Sequence, residues 1–211
     1  MARSGHGTSG RRSATSLSRR LSYVLRHGPH SVGLTLGPGG WVDVDELLAA
    51  LARGGHRVTR SELEATVRTS DKQRFAFDAT GTRIRANQGH SVPVDLGLQP
   101  VEPPAVLYHG TVAKALDQIY ADGLMPRSRH HVHLSADVET AAAVGGRRGE
   151  PIVLVVDAAG LAATGMPFYR SANGVWLVDA VPARFLKRHG EEASLPREGQ
   201  PPTTSNATGE A

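Results

Sequence analysis

Two helix-opening signatures followed by an alternating segment constrain how the front half of this chain can fold. Asp43 and Thr59 are each followed three residues later by a glutamate, which is the spacing of a capping box. Together with apolar periodicity, they predict helices over residues 44–53 and from residue 60 to about residue 69. Residues 74–85 then alternate apolar and polar positions around a Thr-Gly turn, which is typical of a β-hairpin.

The predicted hairpin has an apolar face and a basic face. Alternation turns its aromatic and isoleucine side chains inward and its arginines outward. Helices followed by such a hairpin indicate a winged-helix-like lobe suited to nucleic acid, although a solvated basic hairpin explains the same pattern equally well. The inward residues are Phe75, Phe77 and Ile84, and the outward residues are Arg74, Arg83 and Arg85.

Most of the positive charge belongs to this half. The net charge is +4, and residues 1–100 contain 14 Lys and Arg against 8 Asp and Glu (+6), whereas residues 101–211 contain 10 against 12 (−2). This favours docking of a polyanion on the front half, although solvated arginines would give the same count. The absence of cysteine excludes disulfides and thiolate chemistry. Because no stretch approaches the ~18 apolar residues of a membrane span, and no secretory signal is evident, we expect a cytoplasmic protein.

A helix is also predicted over residues 16–27, where leucine and valine recur at helical spacing and Gly28 follows at the C′ position. This places Arg26 and His27 at the end of the helix. Cations in a last turn stabilise the helix dipole without any ligand, so a purely structural role and a binding role both remain open.

The C-terminal half combines short strands with short helices and contains no Rossmann or P-loop glycine motif. Strands dominate without a regular βαβ order, so the fold class is predicted to be α+β. A helix is expected after Thr111, which could cap it. The histidines of this half have no familiar acidic partners, and we expect no metal site. The predicted strands lie at 106–108, 131–135, 151–156, 168–171 and 174–178.

These patterns divide the chain into five segments. They are a disordered basic arm (1–15), a winged-helix-like lobe suited to nucleic acid (16–92), a proline-rich linker (93–104), a C-terminal lobe (105–189) and a disordered tail (190–211).

Seven short blocks, taken in order, resemble the RNA 2′-phosphotransferase family. Any one block is weak evidence, but seven in the same order with compatible spacing make chance similarity improbable. They are Leu-Arg-His-Gly at 25–28, Gly-Trp-Val at 40–42, Asp-Lys-Gln-Arg-Phe at 71–75, Arg-Ala-Asn-Gln-Gly-His-Ser at 85–91, Tyr-His-Gly-Thr at 108–111, His-Val-His-Leu-Ser at 131–135 and Ser-x-Asn-Gly-Val-Trp at 171–176.

The resemblance implies NAD-dependent removal of an internal RNA 2′-phosphate, as at a tRNA splice junction. The implied route passes through an ADP-ribosylated 2′-phospho-RNA and yields 2′-OH RNA, ADP-ribose 1″,2″-cyclic phosphate and nicotinamide. It also implies that the C-terminal lobe has the ADP-ribosyltransferase fold and that the winged-helix-like lobe is joined to it. The expected partners are NAD as co-substrate and RNA, with tRNA the expected substrate; no membrane, metal or protein partner is expected.

The resemblance also implies the site residues. The catalytic set carried over by motif is Arg26, His27, Arg74 and Arg147. Many relatives have Arg-His-Gly where this chain has Arg147-Arg148-Gly149, so Arg148 remains an alternative to Arg147. The implied NAD contacts are His109, Gly110, Thr111, Ser135, Ser171 and Asn173.

Two other functions remain open at this point. One is an ADP-ribosyltransferase that caps terminal phosphates of nucleic acids and stops after the first step. The other is a winged-helix binding protein whose C-terminal lobe senses NAD without catalysis.

Overall fold

The computed structural model describes residues 7–190, with side chains from residue 15 onward, and its secondary structure is α+β, as predicted. Residues 1–6 of the predicted arm and 191–211 of the predicted tail lie outside this range. The helices are α1 (Gly7–Val24), α2 (Val44–Arg53), α3 (Arg60–Arg68), α4 (Leu116–Asp122), α5 (Val138–Gly145) and α6 (Ala158–Ala162). The strands are β1 (Val42–Asp43), β2 (Phe75–Phe77), β3 (Arg83–Ala86), β4 (Val106–Thr111), β5 (Val132–Leu134), β6 (Ile152–Asp157), β7 (Phe168–Arg170), β8 (Trp176–Val178) and β9 (Leu186–Arg188).

The N-terminal part is built from α1–α3 and a three-stranded antiparallel sheet in the order β1-β3-β2. The predicted hairpin is confirmed, since Phe77 pairs with Ile84 and Phe75 with Ala86. One apolar core holds the three helices against the sheet because each helix presents a buried stripe. That core includes Leu21, Leu25, Leu47, Leu51, Leu63, Phe75 and Ile84.

Helix α1 has different bounds from those predicted. It begins at Gly7, so residues 7–15 of the predicted disordered arm lie in the helix, and it ends at Val24 rather than His27. A tight turn ends it, in which the Tyr23 carbonyl accepts hydrogen bonds from the backbone N–H groups of Arg26, His27 and Gly28. Arg26 and His27 therefore lie in the turn beyond the helix.

The two capping signatures behave differently in detail. Thr59 and Glu62 form a complete capping box, in which each side chain bonds the other residue's backbone N–H. The Asp43 carboxylate caps α2 by accepting from the N–H groups of Asp45 and Glu46. Both predicted helix starts are confirmed because the caps act through neighbouring backbone.

Arg83, predicted to face solvent on the hairpin, is exposed, whereas Arg85 is partly buried, and both contact an aromatic ring. The guanidinium groups of Arg83 and Arg85 lie over the Trp41 ring, at 5.6 and 4.6 Å from its centroid. Arg85 also donates to the carbonyl of Gly39, and its partial burial lowers its pKa. These two arginines, which the pattern assigned to an open basic face, thus make cation–π contacts within the protein.

The C-terminal part consists of two three-stranded antiparallel sheets, β4-β6-β9 and β5-β8-β7, with α4–α6 packed around them. A bridge between Tyr108 and Ser135 joins the two sheets. Their shared core includes Leu107, Leu134, Leu154, Val156, Phe168 and Val178.

Strand β4 packs unusually close to helix α5. A Cβ on Gly110 would lie 1.7 Å from the carbonyl oxygen of Ala141, and a Cβ on Gly145 would lie 2.7 Å from that of Thr111. The two backbones can approach this closely only because both positions lack a side chain. Thr111 ends β4 and does not cap a helix, so that prediction was wrong: a 3₁₀ turn at Ala113–Ala115 precedes α4.

The proline-rich segment 93–104 contains no helix or named strand, but it is attached to the C-terminal part. Pro100 forms a bridge with Tyr169, and the N–H of Val101 donates to the carbonyl of Phe168 on β7. Within the described residues, no helix is both long and apolar enough to cross a lipid bilayer.

Candidate active site

Arg26 lies at the centre of a group of cations between the two parts of the molecule. Its Nη2 donates to the carbonyl of Arg74 at 3.3 Å, and its guanidinium lies over the Phe75 ring. Burial, followed by the charges of Arg74 and Arg129, lowers the pKa of Arg26 to about 10. An arginine remains protonated at that value, so the site keeps several uncompensated positive charges.

No carboxylate neutralises these arginines. The salt bridges among the described residues involve Arg60, Arg83 and His131, and none includes Arg26, Arg74 or Arg129. The buried Nε of Arg26 also has no hydrogen-bond partner there. Unpaired cations and an open donor together favour an anion such as phosphate, which guanidinium groups bind through paired hydrogen bonds.

The backbone beside two of the arginines is strained. Within the described range, the non-glycine residues with positive φ are Gln73, at 40°, and Arg127, at 57°. Gln73 immediately precedes Arg74, and Arg127 precedes Arg129 by two positions. Such conformations cost on the order of 1–3 kcal/mol each and persist where the surroundings hold them. The surrounding structure therefore holds both loops in fixed conformations beside the arginines.

Contacts from both parts hold the loop that carries Arg74. The Asn87 side chain donates to the carbonyl of Gln73, and its backbone N–H donates to that of Arg74. From the C-terminal part, Nδ2 of Asn173 donates to the carbonyl of Lys72 at 3.0 Å.

His27 is held by the Gly-His-Ser block. Its Nδ1 lies 2.9 Å from Oγ of Ser91, whose backbone N–H donates to the carbonyl of Arg26. Burial, Arg26 and Arg129 lower the pKa of His27, so the ring is neutral near pH 7. With Nδ1 engaged, Nε2 is the nitrogen available to a ligand.

A second group of imidazoles faces Arg26 from the C-terminal part. Nδ1 of His109 lies 3.1 Å from the carbonyl of His133, and Nε2 of His133 lies 2.7 Å from Oε1 of Gln88, across the junction. Burial and then the charge of Arg129 lower the pKa of His133 to about 3. A neutral imidazole carries one N–H, and in His133 this is Nδ1–H, which donates to the carbonyl of His131. Nε2 is then an acceptor, so the Gln88 amide donates to it through its NH₂ group.

Arg129 and Arg148 add positive charge on this side. Burial and then the charge of Arg148 lower the pKa of Arg129, although the residue as a whole is exposed. The pKa of His109 is lowered mainly by burial, and the charge of Arg148 contributes to that shift. The two arginines and His109 are therefore near neighbours.

Comparison with known proteins identifies the family. A family model described as RNA 2′-phosphotransferase, Tpt1 / KptA family, matches residues 12–180. The chain belongs to this family. Curated relatives named probable RNA 2′-phosphotransferase include proteins of Nostoc punctiforme (56% identical over 172 residues, 82% of this chain and 95% of the relative) and Streptomyces griseus (54% over 186, 85% and 98%). A third, from Burkholderia lata, is 53% identical over 181 residues, covering 85% of this chain and 93% of the relative.

The structure brings most of the residues carried over from the RNA 2′-phosphotransferase family to one region. Arg26, His27 and Arg74 meet in the N-terminal part, and His109 of β4 contacts the carbonyl of His133, whose pKa is lowered in part by the charge of Arg26. Arg147 is exposed after α5, and none of the described contacts joins it to this group. Of the two alternatives at that position, Arg148 is the one whose charge reaches the site.

Several residues predicted to contact NAD make packing contacts or hydrogen bonds within the protein. Gly110 packs against α5, and Thr111 is buried at the end of β4. Ser135 forms the bridge to Tyr108. The buried Ser171 hydroxyl donates to Oδ1 of Asn173 at 2.8 Å, which completes the turn before β8. The contact of these positions with a ligand stays a prediction.

Sequence reasoning missed Arg129. It precedes the His-Val-His-Leu-Ser block in a loop without periodic spacing, and nothing in the local pattern separates it from Arg127, two residues earlier. Only the fold brings it to Arg26. Among the described residues, no three His, Cys, Asp or Glu side chains converge as metal ligands.

Proposed function

We propose that this protein removes an internal 2′-phosphate from RNA in an NAD-dependent reaction. The phosphate leaves the RNA as ADP-ribose 1″,2″-cyclic phosphate, nicotinamide is released, and the RNA regains its 2′-hydroxyl. Membership of the RNA 2′-phosphotransferase family supports the reaction class. The single observation that carries the proposal is the group of arginines around Arg26 at the junction of the two parts, for which the described residues provide no carboxylate partner.

The first requirement is to hold and orient the RNA 2′-phosphate. A phosphate monoester is largely dianionic at pH 7, so it needs no general base to act as nucleophile. Arg26 and Arg74 suit this task because their forks orient phosphate oxygens while staying protonated. Orientation of a bound nucleophile is itself a large catalytic effect.

When bound, NAD⁺ supplies the electrophilic anomeric carbon and nicotinamide as leaving group. The donor set fits a polyanionic dinucleotide, because Arg129 and Arg148 offer cations beside His109, and Nδ1 of His109 is held by the His133 carbonyl so that Nε2 is left for the ligand. We assign these residues to binding of the dinucleotide.

In the second step the neighbouring ribose hydroxyl of the transferred ADP-ribose would form a bond to phosphorus as the bond to the RNA 2′-oxygen breaks. The attacking hydroxyl loses a proton and the departing oxygen gains one, while more charge develops on the phosphoryl oxygens. Arg26, Arg74 and Arg129 would stabilise that charge. We assign the proton to His27. A phosphate dianion bound beside this ring opposes the repulsion from Arg26 and Arg129, which raises the pKa of His27 and lets the ring carry the proton it then donates.

We infer that the N-terminal part is a winged-helix lobe that receives the RNA and that the C-terminal part is an ADP-ribosyltransferase-like lobe that receives NAD. The order of elements, three helices around a β1-β3-β2 sheet that ends in a hairpin, supports the first inference. The cytoplasmic location and tRNA as the natural RNA remain predictions.

The test is to incubate the protein with NAD⁺ and a short RNA that carries one internal 2′-phosphate, with the unphosphorylated RNA as control. Mass spectrometry should detect 2′-OH RNA, nicotinamide and ADP-ribose cyclic phosphate in the reaction with the phosphorylated RNA and not in the control reaction. ADP-ribosylated RNA as the end product would instead identify an ADP-ribosyltransferase that stops after the first step. Unchanged RNA would favour the NAD-sensing binding protein.

A further inference from the structure

A cavity of about 140 Å³ is lined by residues from both parts of the molecule. The N-terminal part contributes Gly89 and His90, which follow the hairpin, and the proline-rich segment contributes Val94, Asp95, Leu96 and Leu98. The second sheet and the residues before β5 contribute imidazoles, a phenol ring and an aliphatic group, from His130, His131, His133, Tyr169 and Leu177. The lining thus combines aliphatic side chains with several imidazoles.

His90 is the most unusual group in this lining. Its side chain is 2% exposed, yet neither Nδ1 nor Nε2 has a hydrogen-bond partner among the described residues. Leaving buried polar atoms unpaired costs roughly 1–3 kcal/mol per group, so such atoms usually await a ligand or a bound water. The roles assigned above to Arg26, His27 and Arg74 do not use this ring.

The head group of Arg26 lies next to Gly89, a residue of the cavity lining. A Cβ on Gly89 would lie 3.7 Å from Nη1 of Arg26 and 3.8 Å from Nε2 of His133. A ligand in the cavity would therefore lie beside an anion held by Arg26.

Size and charge restrict the occupant. The volume is close to that of a cavity of roughly 150 Å³ that holds one benzene ring, so a single aromatic ring fits whereas a whole nucleotide does not. The charged groups that face His90 are Arg26 and Arg85, with His27 and His130 as further imidazoles. The carboxylate in the lining, Asp95, accepts from the N–H of Gly97 in its own turn. These surroundings repel a cationic pyridinium ring and accept an uncharged base.

We propose that this cavity binds the base of the RNA nucleotide that carries the 2′-phosphate, with the ring nitrogens of His90 pairing with the edge of the base. This inference rests on the proposed function, because it takes the anion on Arg26 to be the RNA phosphate. The base on C1′ and the phosphate on C2′ sit on adjacent ribose carbons, so a phosphate on Arg26 brings its own base to the neighbouring cavity. The adenine of NAD, by contrast, is separated from the reacting carbon by a pyrophosphate.

The experiment measures equilibrium binding without NAD⁺, so that it does not depend on turnover. The ligands are two dinucleotides with the same 2′-phosphate, one carrying a base at that nucleotide and one abasic. Wild-type protein should bind the dinucleotide with the base about 10-fold or more tightly, in line with stacking energies of single bases. His90→Leu should lose most of this preference, and His90→Gln, which keeps a donor and an acceptor, should retain part of it.

His56→Leu, a substitution in the turn after α2, is the matched control and should keep the wild-type preference. Thermal unfolding checks folding, and His90→Leu should be at least as stable as wild type because it removes unpaired buried nitrogens. Equal affinity of wild-type protein for the two dinucleotides would overturn the proposal. A change in the KM for NAD⁺ with unchanged base preference would also overturn it and assign the cavity to nicotinamide. Failure of the proposed function would look different, since base preference would persist without release of nicotinamide.

Discussion

The Arg26 side and the His133 side of the site are built on different principles. On the first, Arg26 and His27 are consecutive residues in one turn, held by Ser91 of the same part of the chain. On the second, His109 and His133 come from different sheets, and Arg129 comes from a loop outside any regular element. Residues adjacent in sequence keep their geometry through local hydrogen bonds, whereas the second set exists only when two sheets and a strained loop come together.

The largest effect should come from the locally built side. Arg26→Ala should slow the second step by about 10² or more, because it removes a preorganised cation from the developing phosphoryl charge. Arg26→Lys should also be poor because it lacks the fork. Single-turnover assays that quantify ADP-ribosylated RNA measure the step directly. Arg19→Ala, at an exposed arginine of α1, serves as control, and wild-type turnover in Arg26→Ala would refute the assignment.

The next effect tests the side that the fold assembles. Arg129→Ala should lower turnover about 10-fold or more, since its charge reaches both Arg26 and His27. The same variant should raise the pKa of His27, which NMR titration of the ring can follow, because a neighbouring cation is removed. Arg147→Ala is the comparison. A loss of activity confined to Arg147→Ala would support the arginine implied by the family motif and reject Arg129.

A third prediction concerns the packing behind the second side. Gly110→Ala should lower the free energy of unfolding by about 1–3 kcal/mol or more, because its Cβ would meet the backbone of α5, which cannot move aside like a side chain. Chemical denaturation measures the change. Gly54→Ala, whose added Cβ would make only ordinary contacts at 3.5 Å, should change it little. Equal stability of the two variants would contradict the close packing.

The smallest effect is a dependence of stability on pH. The pKa of His90 is lowered to about 4 and the pKa of His133 to about 3, both mainly by burial. Both values lie below the 6.5 of the unfolded chain. On acidification the unfolded chain therefore binds protons first, and stability falls as the pH drops from about 6.5 towards 4. Each histidine contributes at most about 1.4 kcal/mol per pH unit. Urea unfolding at several pH values should show a shallower fall for His90→Leu than for wild type or His56→Leu, and identical slopes would refute it.

Prediction from sequence succeeded where a signal acts over a few residues. The caps at Asp43 and Thr59 and the alternation around the Thr-Gly turn lead to α2, α3 and the β2-β3 hairpin. It failed where a distant partner decides the outcome. Thr111 has a residue type that caps helices, but pairing with Ile152 extends it into β4, and α1 continues towards the N-terminus beyond its predicted start.

The sequence by itself determined the family, the α+β class and the placement of Arg26 beside His27. Ordered motifs and short-range hydrogen bonds depend on residues that are close together in the chain. Only the tertiary structure decided that Arg129 lies near Arg26, that Gly110 packs against α5, that Asn173 bonds the loop before Arg74, and that the His90 ring lines a cavity without a hydrogen-bond partner among the described residues. The physical reason is that burial and charge proximity depend on residues far apart in the chain, which the folded backbone brings within a few ångströms of each other.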